Sequence, residues 1–190
     1  TFNSSGGITS RTLTLGSTSW TGTSWTSSNS GLTLNAGTSS VTLTGNFTMS
    51  DAVTLNSLTV TGTGTNFTLG ANLTVSNTLS INGNSANNRI LFRSNTHGTT
   101  RTVTAGAVSL SNIDFRDITG AGAASWTGTN MGDSGGNSNI TFTGATTRYA
   151  VSAGNWQATS TWSTSSGGAA GASVPLPQDN VIFDASSGSG

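Results

Sequence analysis

Along the first half of the chain an apolar residue alternates with Thr or another small polar residue: Leu13-Thr14-Leu15, Leu32-Thr33-Leu34, Val53-Thr54-Leu55 and Leu73-Thr74-Val75. A period of two is the signature of a strand with one buried face, so each string predicts a short strand with its aliphatic residues turned inward. The strings recur. Thr12-Leu13-Thr14-Leu15, Gly31-Leu32-Thr33-Leu34, Ala52-Val53-Thr54-Leu55 and Asn72-Leu73-Thr74-Val75 align as one set, beginning at residues 12, 31, 52 and 72. A second match joins Gly45 to Leu55 with Thr65 to Val75, and a third joins Leu58-Thr59-Val60-Thr61-Gly62 with Leu79-Ser80-Ile81-Asn82-Gly83.

A repeat of about 20 residues carrying two or three strands cannot bury its own apolar face, and stacking solves that problem. The expected fold is all-β: a parallel β-solenoid of rungs of about 20 residues. Leu13, Leu15, Leu32, Leu34, Val53, Leu55, Leu73 and Val75 should form the inner ladder, with Thr14, Thr33, Thr54 and Thr74 aligned outside. Val41, Leu58 and Leu79 predict a second ladder, and Phe47 with Phe67, flanked by Asn46 and Asn66, a third face. Shorter strings at Arg89–Arg93, Arg101–Thr104, Val108–Leu110 and Asn112–Phe115 continue the solenoid. It should occupy residues 1–147. Residues 148–190 hold both prolines together with Trp156 and Trp162, and read as an irregular loop or small cap closed by a strand at Asn180–Asp184.

Composition excludes more than it identifies. The chain has 36 Thr, 31 Ser and 26 Gly among 190 residues, and neither Lys nor Glu. Six Arg balance six Asp, so no broad field exists to attract nucleic acid. No apolar run approaches the roughly 20 residues of a bilayer span, so membrane insertion is not expected. The absence of cysteine rules out disulfides and thiolate metal sites. An extracellular or cell-surface location fits this texture, with a virion as the alternative. The C-terminal stretch Val181–Gly190 could lead into Thr1-Phe2-Asn3 as strand, turn and strand, which predicts tandem or homo-oligomeric copies stacked end to end.

Residues 88 to 184 resemble a segment of large repetitive β-helix proteins of bacterial surfaces and phage particles. The resemblance is carried by Arg89–Ser94, Val108–Ile118, Gly132–Phe142 and Arg148–Asp184. It implies an exposed structural or adhesive protein and supplies no catalytic residues.

Candidate chemistry is sparse. Without Glu or Lys, and with one His (His97) in a turn-like string, an acid–base pair is not expected and neither is an enzyme. Asp133, Asp114 and Asp117 are the candidates for a metal, which would be Ca²⁺; no other cofactor is expected. Asp114, Arg116 and Asp117 also read as a cluster that fixes a strand corner. Trp20 and Trp25 are the candidates for contact with surface glycans. The repeated strings Ser19-Trp20-Thr21-Gly22-Thr23 and Ser125-Trp126-Thr127-Gly128-Thr129 favour instead plugs at a solenoid corner or end. The leading functional expectation is a structural repeat of an extracellular fibre or adhesin. A phage tail-fibre or receptor-binding segment and a carbohydrate-binding or carbohydrate-active β-helix are the alternatives.

Overall fold

The computed structural model describes residues 1–5, 10–28, 31–62, 65–122 and 125–188. It is a parallel β-solenoid of about six turns with rungs of about 21 residues. The first rung comprises β1 (Phe2–Ser5), β2 (Arg11–Thr14) and β3 (Ser19–Gly22), and the second β4 (Trp25–Ser28), β5 (Leu32–Asn35) and β6 (Ser40–Leu43). The third holds β7 (Phe47–Met49), β8 (Val53–Leu55) and β9 (Ser57–Gly62). After these come β10 (Asn66–Leu69), β11 (Leu73–Gly83), β12 (Ile90–Ser94), β13 (Arg101–Arg116), β14 (Ile118–Ala121) and β15 (Gly128–Asp133). All the named strand pairs of the solenoid are parallel, and β13 pairs with strands on all three faces.

Inward residues of successive rungs stack directly. Val53, Leu73 and Val103 form one ladder, Leu55, Val75 and Ala105 the next, and Val41, Leu58, Leu79 and Val108 another. On the third face Trp25, Phe47, Phe67, Phe92 and Phe115 are in register, all at 1% exposure or less. Phe2 and Phe142 extend this column to seven rings, with neighbouring centroids 4.1 to 6.2 Å apart. Each ring thereby covers the next from water, and the tilted and edge-on contacts suit the aromatic quadrupole. Val53, Leu55, Leu73 and Val75 are buried, whereas Leu13, Leu15, Leu32 and Leu34 are half-buried: β2 lies in the terminal rung, and β5 has β2 as its one strand partner among the described residues.

One register differs from the sequence expectation. Leu13 stacks on Leu34, not on Leu32, and Thr12 rather than Thr14 stacks on Thr33; Thr14 meets Asn35. The step is 21 residues instead of 19. A shift of two leaves every inward residue inward, so the apolar pattern alone cannot choose between these registers. The corner chooses. Gly16 (φ 62°) and Gly37 (φ 58°) both occupy the left-handed region, and the Thr38 N–H donates to the Gly16 carbonyl at 2.8 Å. Stacking these two turns fixes the 21-residue step.

Two tryptophans close the interior. Trp20, in the first rung, lies so close over Gly22 that a Cβ there would come within 2.3 Å of the ring. Trp126, in the last rung, covers Gly120 in the same way and donates from Nε1 to the Ala121 carbonyl at 3.2 Å.

Beyond the solenoid a small sheet forms from β16 (Thr147–Ala150), β17 (Trp162–Ser163) and β18 (Asn180–Ile182), in the order β17-β16-β18. Ala150, Trp162 and Val174 form its own buried cluster.

Candidate functional site

The two ends of the solenoid are built differently, and the difference begins with backbone donors. Among the described residues, β1, β2 and β3 of the first rung each pair along one edge. The N–H groups of Arg11 and Leu15 donate to the Gly31 and Asn35 carbonyls of the second rung. Strand alternation therefore turns the backbone groups of Thr12 and Thr14 to the outer edge. Between β1 and β2 lies an open cavity of about 220 Å³ lined by Phe2, Asn3, Ser4, Arg11, Thr12, Leu13 and Leu32. At this end half-buried apolar residues meet an edge that no strand covers among the described residues.

At the last rung the edge is filled. Asp133 N–H donates to Gln178 Oε1 at 2.9 Å, while Gln178 Nε2 donates to the carbonyls of Met131 at 3.1 Å and Thr143 at 2.7 Å. The side-chain amide of Gln178 thus satisfies a donor and an acceptor of β15, as the peptide group of a further strand would. Thr143 completes the closure: its Oγ1 accepts from Met131 N–H at 2.9 Å, and its own N–H donates to the Met131 carbonyl at 3.2 Å. Covering an edge in this way removes a template for strand addition.

Arg89 fastens the cap from the side. Its Nε donates to Asp114 Oδ1 at 2.8 Å, Nη1 to the Ala86 carbonyl at 2.6 Å and Nη2 to the Pro175 carbonyl at 3.1 Å. Burial pushes the Asp114 carboxyl above its ordinary range, against the pull of the Arg89 guanidinium. The pair holds the cap in position, and taking its charges out of water offsets part of their attraction. Gly132 lies between Asp114 and Pro177, where a Cβ would come within 2.0 Å of the carboxyl oxygen and 2.5 Å of the proline ring. Arg89→Ala is expected to loosen the cap while leaving the second and third rungs intact. Amide exchange at Asp133 should accelerate, with the β7–β10 ladder unchanged. Arg89→Lys should not restore protection, since an ammonium cannot hold three divergent acceptors in one plane.

The remaining sequence candidates occupy separate places. Asp117 is a buried corner at φ 57°, where its carboxylate accepts from Gly98 N–H at 3.1 Å and lies 3.6 Å from Arg116 Nε. Asp133 Oδ1 accepts from Gly135 N–H at 2.9 Å and Asn137 Nδ2 at 2.7 Å. Among the described residues no three His, Cys, Asp or Glu side chains gather into a group fit to hold a metal. His97 is exposed in a turn.

Trp25 is corrected by the structure: at 1% exposure it belongs to the aromatic column and presents no face to a glycan. Trp20 is half-buried, with one face on Gly22 and its ring edge-on to Trp25 at 5.8 Å. Comparison with family models, with curated proteins and with solved structures finds no match. The edge-capping role of Gln178 left no trace in the sequence pattern, because its partners lie 35 to 47 residues away. The one signal was its place between Pro177 and Asp179, in a segment whose composition departs from the repeats.

Proposed function

We propose that this chain is a structural module of an extracellular fibre or surface adhesin, joined to its neighbours through the first rung of its solenoid. The observation that carries this reading is the asymmetry of the ends: at β1–β3 an edge with half-buried apolar residues and no strand partner among the described residues, and at β15 an edge closed by Thr143 and Gln178. A rung supplied by a copy or an adjoining module would continue the ladders through Phe2, Leu13 and Trp20. Interlocked ladders make a stiff rod, and a neutral surface rich in hydroxyls limits unspecific attraction. Because the capped end offers no strand edge, the rung that completes β1–β3 comes from an adjoining module or from the first rung of a second copy, and pairing of two copies through that one edge is isologous and closes at the dimer.

Thr12→Pro tests this. The substitution removes an outward N–H from an edge strand, a position where proline is tolerated, so the fold should persist. Purified chain at rising concentration should dimerise by light scattering, and Thr12→Pro should abolish these assemblies with an unchanged melting temperature. The assemblies should be as stable in high salt as in low, because backbone pairing and apolar stacking are barely screened. A chain that stays monomeric at all concentrations, or assemblies indifferent to Thr12→Pro, would sink the proposal.

A further inference from the structure

Two large apolar side chains stand exposed among the described residues: Trp156 at 48% and Phe183 at 67%. Both line the same open cleft in the cap, about 320 Å³ in volume, together with the fully buried Trp162. The volume falls at the lower bound of small-molecule sites, about 300 to 1,000 Å³. Trp156 and Phe183 each pack edge-on against Trp162, at 4.7 Å and 73° and at 6.2 Å and 70°. The Trp162 indole N–H donates to the Trp156 carbonyl at 2.8 Å, which fixes the backbone that carries the exposed ring. The rings are therefore held in place while left open to solution.

The polar groups of the cleft narrow the ligand. Ser152, Thr161 and Ser187 line it, and each hydroxyl already donates its proton to a backbone carbonyl: Ser160 at 3.1 Å, Asn155 at 2.7 Å and Ala150 at 2.7 Å. Ser187 Oγ also accepts from Asp184 N–H at 2.9 Å. A hydroxyl oxygen has two lone pairs, so all three retain capacity to accept and none has a proton to offer. Among the described residues no charged side chain lines the cleft. A fitting ligand is uncharged, carries several hydrogen-bond donors and has an apolar face for an indole or phenyl ring. A pyranose has that description: its axial C–H groups meet the electron-rich ring face while its hydroxyls donate at the edge.

We infer that the cap cleft binds a neutral sugar, with Trp156 and Phe183 as stacking platforms and Ser152, Thr161 and Ser187 as acceptors. These residues are separate from the Thr12 edge, so sugar binding and end-to-end assembly fail or succeed independently. The test is a titration of the full chain, followed by tryptophan emission and by calorimetry, with cellohexaose, maltohexaose and chitohexaose; hexagalacturonate serves as the charged control. At least one neutral hexaose should bind saturably and shift the emission to shorter wavelength. Trp156→Ala and Phe183→Ala should each weaken it by about tenfold or more. Ala153→Leu, which fills the cleft from an exposed position, should do the same without removing a ring, guarding against a cap that fails to fold. The inference is overturned if no neutral hexaose binds at about 10 mM, which corresponds to less than about 3 kcal/mol of affinity. Binding that survives Trp156→Ala or Ala153→Leu, or equal binding of hexagalacturonate, overturns it as well. Self-association that Phe183→Ala abolishes, with no sugar bound, would identify the cleft as a contact between copies instead.

Discussion

Leu55→Asp should abolish cooperative folding at neutral pH, or lower the melting temperature by more than 10 °C at about 2–4 °C per kcal/mol for a chain of this size. Leu55 is fully buried in β8 and stacks on Val75, so the substitution removes an apolar side chain and puts a carboxylate between two rungs. Losing the leucine costs about 2–5 kcal/mol, and an unpaired buried charge adds several more. Their sum rivals the 5–15 kcal/mol total stability of a typical domain. The penalty has a pH signature. A carboxyl in that position is held protonated in the folded state, so its folded pKa exceeds its unfolded one. The deficit should shrink as pH falls through the raised value and grow again as pH rises. Leu55→Asn should show a deficit without that pH dependence. Thr54→Asp is the control: Thr54 is the exposed neighbour on the same strand, and a charge there should cost no more than about 0.5 kcal/mol. Circular dichroism melts at several pH values decide the matter, and a Leu55→Asp chain as stable as its parent would contradict the inward ladder.

Phe67→Ala should cost about 3–5 kcal/mol for the cavity, and more for the ring–ring attraction removed on both sides. Phe67 sits edge-on to Phe47 at 4.5 Å and stacked on Phe92 at 4.1 Å and 3°, so its removal interrupts the column at the middle. A stacked repeat couples mainly to its nearest neighbours. Amide exchange should accordingly rise in β7, β10 and β12 and fall back to parental values toward the cap. Phe2→Ala, at the half-buried end of the same column, should be much milder. Uniform destabilisation of all rungs by Phe67→Ala would show that the solenoid unfolds as one unit.

Much of the solenoid was legible because its signals are local. The alternation around Val53, Leu55, Leu73 and Val75 carries its own periodicity, and near-constant spacing exposes the rung. What failed was information that alternation does not contain. The stack of Leu13 on Leu34 depended on glycine corners, which the apolar pattern cannot weigh. The aromatic column was visible only at Phe47 and Phe67, twenty residues apart and in register. Between Phe67 and Phe92 an added turn at Asn84–Arg89, bridged from Ser85 to Asn88, breaks the spacing and hides the continuation. Trp25 illustrates the same limit: its apolar neighbours come from other rungs, so nothing adjacent in the chain marks it as buried. The cap was recognisable from its prolines and tryptophans, but not the roles of its residues. Trp162 and Trp156 look alike in sequence, and one is the floor of a cleft while the other stands in solution.

One gap in the ladders bears on how such a rod would carry a load. β2 and β5 form a two-stranded sheet of their own; β8 pairs with β11, and no strand ladder joins β5 to β8 among the described residues. The second and third rungs are therefore hydrogen-bonded through β4–β7 and β6–β9, on two faces instead of three. In a solenoid those bonds run along the axis, so tension pulls on every junction in series and the weakest one sets the breaking force. That junction lies near the uncapped end. Under traction the module would open there first: its first two rungs would peel away, still tethered through the link from β6 to β7, while the remainder, sealed by the cap, stays whole, a mechanical fuse placed beside the joint it would serve.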